Sequence, residues 1–437
     1  MRGYYIIVAA LFYLLSILIL ITMNFSKEFS DFQYANFLQG KSEIAENMKI
    51  IVYKIIPDYF DLLDFDNDDC FLDATLFALV TAEKLDNTDL LKQYMYGFIP
   101  IENRPQKVNV FSDKYGIIYI PNIGWIKQVE KNKSFVLEFI NNKFKLNGAD
   151  VDIEPLAINN KIGVELLKYR LELFDDRYYD SVHNIIDIDV EEPYKAKSAM
   201  LNNSLNIIAD NVPWLAQLIK EGCPKAVIFN DGTEPMTHLF CARNSFASFQ
   251  VKRISFHNVY QPWYDEVFFL DDISHQMGHV LFDQITFDKK RFFKINHQDT
   301  IVANSEFGKR LSKVETRSYE IVFHSLYTFF VILNVLDACL ENDLFTYEQK
   351  LEIKGRIAFY LRKSAHDFEL FEDMQENNYA QTIYTPEGMN IYMGMKQSFL
   401  ANFTKHKALY DAYQINNQPY NYNHKKFLEL NKFEAVG

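Results

Sequence analysis

Apolar positions along this chain follow two different periods, and a third stretch has none. Residues 4–23 form an uncharged run of 20 residues in which Ser16 and Thr22 are the polar interruptions. About 20 apolar residues is the length a helix needs to cross the hydrocarbon layer of a bilayer. The run is followed by Asn24, Phe25, Ser26 and Lys27 rather than by a small-residue cleavage site. It therefore reads as a single-pass membrane anchor and not as a signal peptide. Arg2 precedes it while Lys27 and Lys41 follow, so basic residues set no orientation.

Helical spacing begins after the anchor. It predicts a short amphipathic helix over 41–56, stopped by Pro57, and a helical segment over 69–98 that breaks near Asp86 and Asn87. Over 105–155 the pattern changes to short β-branched and aromatic runs at 108–111, 116–120 and 134–140, which predict a small sheet. Helical spacing returns at 155–174 and at 194–221, where Gly222 ends it. Strands are expected at 225–231, 237–243 and 249–258, with Asp231 and Gly232 as a turn signal.

From there on the pattern is helical, over 268–290, 316–341, 346–374 and 386–415. Thr346 and Gln349 form a capping box, and Thr385 caps a helix that opens on Pro386. Residues 416–437 read as a loose tail. The expected fold is α+β and mainly helical, with small sheets packed on a helical core. Its parts are an anchor (1–25), an N-terminal α+β region (26–190), a second α+β domain (191–415) and the tail.

Composition supports long helices, since 437 residues contain only 15 glycines and 12 prolines. The net charge of −13 with no basic run excludes a nucleic-acid partner. Cys70, Cys223, Cys241 and Cys339 lie far apart and form no CxxC, so they read as buried thiols rather than a disulfide or zinc scaffold. The acidic run 64–73 lacks the glycine and closing glutamate of an EF-hand and reads as a solvated turn.

The candidate chemistry lies in 269–285. His275 and His279 are four residues apart on an apolar helical pattern that Asp271 or Asp272 can cap, which places both imidazoles on one face to share a metal ion. Gln276 occupies the place where HExxH metallopeptidases carry their general base. A neutral amide cannot accept that proton, which removes a factor of about 10²–10⁴ and argues against peptide hydrolysis. Candidates for a third ligand are His297, Glu306, Glu315, Glu320 and His324. His324 lies on a pattern that turns wholly apolar after it, with Arg317 seven residues earlier, two turns along the same face. A guanidinium there suits an anionic co-substrate, because it grips a carboxylate bidentately.

The order of elements resembles one family. A helix over 199–221, strands, an HxxxH helix and then R-x6-H before an aromatic helix look like the HExxH-type peptide-modification proteins of ribosomal peptide pathways. The resemblance covers roughly 195–340. It implies a peptide β-hydroxylase that uses iron(II) and 2-oxoglutarate, with a peptide or protein as substrate. His275, His279 and His324 match the metal histidines and Arg317 the co-substrate arginine, while Gln276 departs from the family's glutamate. An enzyme that draws on cytosolic 2-oxoglutarate has its soluble part in the cytoplasm. Two other readings remain beside it. One is a zinc hydrolase whose base is Glu315 or Glu320; the other is a membrane-anchored scaffold that has lost its chemistry.

Overall fold

A computed structural model of the chain describes residues 2–82, 86–178, 187–231, 248, 251–259, 261–301, 317–372, 379–415 and 422–432, with side chains from residue 27 onward. The first element is a single helix, α1 (Arg2–Ile55), so the expected anchor and the amphipathic helix over 41–56 are one continuous rod. It ends where Pro57 opens the short α2 (Pro57–Phe60), because a proline has no N–H to continue the ladder. Phe29, Phe37, Ile44, Met48 and Val52 are buried along one side of α1. Two further helices follow, α3 (Ala74–Thr81) and α4 (Thr88–Tyr96), capped by the side chains of Asp73 and Asn87.

Six strands come next: β1 (Lys107–Phe111), β2 (Ile118–Ile120), β3 (Gly124–Ile126), β4 (Ser134–Ile140), β5 (Lys143–Leu146) and β6 (Ala149–Asp150). They form an antiparallel sheet in the order β1-β4-β5-β6 and a separate β2-β3 pair. The helix expected over 155–174 is absent. That stretch gives β7 (Ala157–Ile158), β8 (Glu165–Leu167) and a 3₁₀ turn (Glu172–Arg177). All three residues of β8 are buried, and a strand covered on both faces loses the alternation that would distinguish it from a helix.

β8 pairs in parallel with β9 (Lys225–Phe229), which pairs in parallel with β10 (Ile254–Asn258), giving the order β10-β9-β8-β7. One sheet therefore draws strands from both sides of the boundary expected at 190. A buried charge cluster ties it to the earlier elements. Lys225 Nζ lies 2.6 Å from Glu165 Oε2, 3.0 Å from Asp73 Oδ2 and 3.0 Å from the Tyr119 hydroxyl. Burial alone would lower the ammonium's pKa, but the two carboxylates hold it well above the usual lysine value. The expected strand at 237–243 lies outside the described residues.

The remaining elements are helices: α5 (Glu191–Asn211), α6 (Pro213–Gly222), α7 (Glu266–Ile285), α8 (Tyr319–Cys339), α9 (Tyr347–Glu372), α10 (Tyr379–Ile383), α11 (Pro386–Lys405), α12 (Lys407–Ala412) and α13 (His424–Asn431). Thr346 and Gln349 cap each other reciprocally at α9, at 3.0 and 3.2 Å, and Thr385 caps α11. Part of the expected tail is folded, since α13 buries Phe427. Cys70, Cys223 and Cys339 are buried free thiols.

α7 is central, packed on by α1, α5, α8 and β10. It runs antiparallel to α8, because Gly278 faces Thr328 while Phe282 packs on Phe323. α8 has a mean hydropathy of 1.7 and is long enough to span a bilayer, but 72% of its apolar window is buried inside the protein. It is the core helix of the fold.

Candidate metal centre

α7 starts earlier than its sequence suggests. Asp265 is the cap, accepting from Val267 N at 3.0 Å. Asp271 and Asp272, the expected caps, lie inside the helix and do other work. Asp271 pairs with Arg356 and accepts from the Tyr360 hydroxyl at 2.7 Å. Asp272 accepts from Gln276 Nε2 at 3.2 Å and from His257 Nδ1 at 2.8 Å. Carboxylates buried this deeply need such partners, so tertiary contacts override their preference for a helix start.

His275 and His279 stand on one face of α7, ring centroids 5.0 Å apart. That face meets α8, where the buried His324 stacks with His279. The two Nδ1 atoms are 3.4 Å apart. Ligand nitrogens about 2.0–2.1 Å from a shared tetrahedral ion would be separated by roughly 3.3 Å, so this spacing fits two ligands of one metal. Burial keeps all three imidazoles uncharged: His279 is pushed down to about 4, and His275 and His324 well below their usual value. A neutral ring is the form that binds a metal.

Carboxylates reach the same place. Asp283 continues the α7 stripe four residues beyond His279, and Glu320 lies one turn before His324 on α8. Ligand atoms of Asp283, Glu320 and His324 all lie within 4.8 Å of one another, and among the described residues this is the one such group. The expected set of three imidazoles does not close to that distance; His324 instead belongs with two carboxylates, and His279 faces it separately.

Both carboxylates also hold lysines. Lys252 and Lys289 pair with Asp283, the latter at 3.1 Å, and Lys289 lies 3.1 Å from Glu320. Burial alone would raise the Asp283 carboxyl, but the two ammoniums hold it below the usual carboxylate range. His297 Nε2 lies 3.4 Å from Glu320 Oε2. Glu306 and Glu315 lie outside the described residues.

Two sequence assignments need correction. Gln276 is fully buried and turned away from the imidazole face. Its amide bridges Asp272 and the Ser248 hydroxyl, which donates to it at 3.2 Å. One residue past His275 is about 100° around a helix, so this side chain supports α7 from behind rather than facing the seam. Arg317 precedes α8, whose cap is Ser318, and so is not two turns along the face of His324. Its guanidinium grips Asp367 bidentately, Nη1–Oδ2 at 3.0 Å and Nη2–Oδ1 at 2.6 Å. The carboxylate it was expected to bind is supplied by the protein.

Behind α7, Asp272 orients a relay. His257 Nδ1 meets Asp272 Oδ2, and His257 Nε2 lies 2.8 Å from the Ser255 hydroxyl. The order resembles a serine triad, yet Ser255 and His257 are completely buried in β10. The network therefore locks β10 onto α7. Sequence reading missed Asp283, although the continued four-residue spacing HxxxHxxxD was visible; Lys252 and Lys289 carried no such signal.

No protein-family model matches this chain, and no curated protein matches it.

Proposed function

We propose that this protein is a metal-dependent enzyme whose ion binds where α7 crosses α8, held by His324, Asp283 and Glu320. The observation that carries this reading is the grouping of both carboxylates around His324, with His279 Nδ1 3.4 Å from His324 Nδ1 beside it. One imidazole and two carboxylates with open positions suit a metal such as iron(II) better than a structural zinc site. This supports the narrower reading that the resemblance implies, a peptide hydroxylase using iron(II) and 2-oxoglutarate.

Such an ion would supply dioxygen activation, with 2-oxoglutarate converted to succinate and carbon dioxide as one oxygen atom enters a peptide C–H bond. The protein's own residues prepare the place. Phe282 packs edge-on against His324 at 4.8 Å and stacks on Tyr327 at 4.5 Å, so an aromatic wall holds the ring and keeps water from it. Lys252 and Lys289 balance the charge of the two carboxylates beside His324.

We also propose that residues 4–23 anchor the protein in a membrane, with the remainder in the cytoplasm. The uncharged run and its continuity with the packed part of α1 support this. The test of function is succinate release from 2-oxoglutarate by protein loaded with iron(II), in wild type and in His324→Ala. Turnover in wild type alone is expected. A silent scaffold is the second reading, favoured by the lysines that already neutralise Asp283 and Glu320; it predicts no bound metal and no turnover in either protein.

A further inference from the structure

Two contacts fix the direction of α1 against α8. Residue 40 of α1 lies against Gln284 of α7, and Phe282, half a turn away, packs on Phe323 near the start of α8. Eleven residues earlier on α1, Phe29 packs on Phe330 with centroids 5.5 Å apart, and its ring lies against Gly394 of α11. Passing down α1 toward its apolar end is therefore passing along α8 toward its C-terminus.

α8 continues nine residues past Phe330, to Cys339, or about 13 Å. The turn that follows exposes Leu344 (72%), and Tyr347 (59%) opens α9. Gln349 Nε2 donates to Asp265 Oδ2 at 2.8 Å, which ties the entry of α7 to the same end. Trp263, two residues before Asp265, is 65% exposed. Three exposed apolar side chains thus gather at the end of the protein that points toward residues 4–23. Phe29 follows that run by six residues, about 9 Å of helix, so the folded part is held close to wherever the run is embedded.

We propose that Trp263, Leu344 and Tyr347 rest in the headgroup layer of the bilayer that residues 4–23 span, so that the protein lies on the membrane rather than hanging from it. This rests on the anchor reading. Tryptophan and tyrosine favour this layer because each has an apolar body and a polar tip. Exposed Glu341, Asp343 and Glu348 flank Leu344 and Tyr347, which makes neutral phosphatidylcholine the appropriate probe.

The experiment uses the full chain in phosphatidylcholine vesicles with bromine near the headgroup end of the acyl chains. The emission component that Trp263→Phe removes is expected to be mostly quenched, and Leu344→Ser with Tyr347→Ser to restore much of it. All variants should stay membrane-bound through an alkaline carbonate wash. Protein that survives the wash with Trp263 unquenched overturns the proposal while sparing the anchor. Protein that washes off overturns the anchor reading and the proposal together.

Discussion

His279 and His324 face each other across the seam between α7 and α8, Nδ1 to Nδ1 at 3.4 Å, though 45 residues separate them in the chain. Antiparallel packing of two long helices brings them together, and the residues around them decide what the pair can do. Asp283 from α7 and Glu320 from α8 bring carboxylate oxygens to His324, and Lys252 and Lys289 balance their charge.

Arg317 is assigned to stability rather than to co-substrate binding. Arg317→Lys keeps a cation but loses the bidentate grip on the buried Asp367. A loss of about 1–2 kcal/mol in urea unfolding is expected. The KM for 2-oxoglutarate should stay unchanged; a large rise in KM would return Arg317 to the site.

Asp272→Ala tests the network behind α7. It strips the buried His257 Nδ1 and Gln276 Nε2 of their acceptor. A cost of about 2–4 kcal/mol is expected by chemical denaturation. Metal content per folded chain should not change, because these groups face away from the seam.

Gly40 marks a close approach of α1 to α7, where an added Cβ would sit 2.0 Å from the Gln284 carbonyl oxygen. Gly40→Ala must push the two helices apart, at a cost of about 1–3 kcal/mol. A melting temperature equal to wild type would show that α1 is not seated as described.

Acid unfolding should involve Glu154. Burial works against its charge, but hydrogen bonds from Lys168, Tyr169 and Lys127 pull the carboxyl from 4.5 down to about 2. A depressed folded pKa gives stability that is complete above 4.5 and fades as the pH falls toward 2. Glu154→Gln should therefore lose less stability than wild type across that interval. The difference should shrink in high salt, since the side chain is 32% exposed. Parallel acid melts of the two proteins would remove Glu154 from the account.

The long helices were legible in the sequence because their apolar spacing extends over many turns and their caps are local; Thr346 with Gln349 is one case and Thr385 another. β8 was not, since three buried residues carry no period. The histidine stripe was readable from spacing alone. Its completion was not, because the placing of Glu320, Lys252 and Lys289 depends on how separate elements meet. Asp271, Asp272, Gln276 and Arg317 were each assigned from their immediate neighbours in the chain, and each is held instead by a partner that packing supplies: Arg356, His257, Ser248 and Asp367.

Elemental analysis of the purified full chain after anaerobic loading with iron(II) tests the metal site at the α7–α8 seam most directly, for wild type and for His324→Ala, Asp283→Ala and His275→Ala. One metal per wild-type chain is expected, with loss of that metal in the His324 and Asp283 variants and retention of most of it in the His275 variant. Wild-type protein that binds no metal, or a His324→Ala variant that binds it fully, would rule out a metal held at this seam.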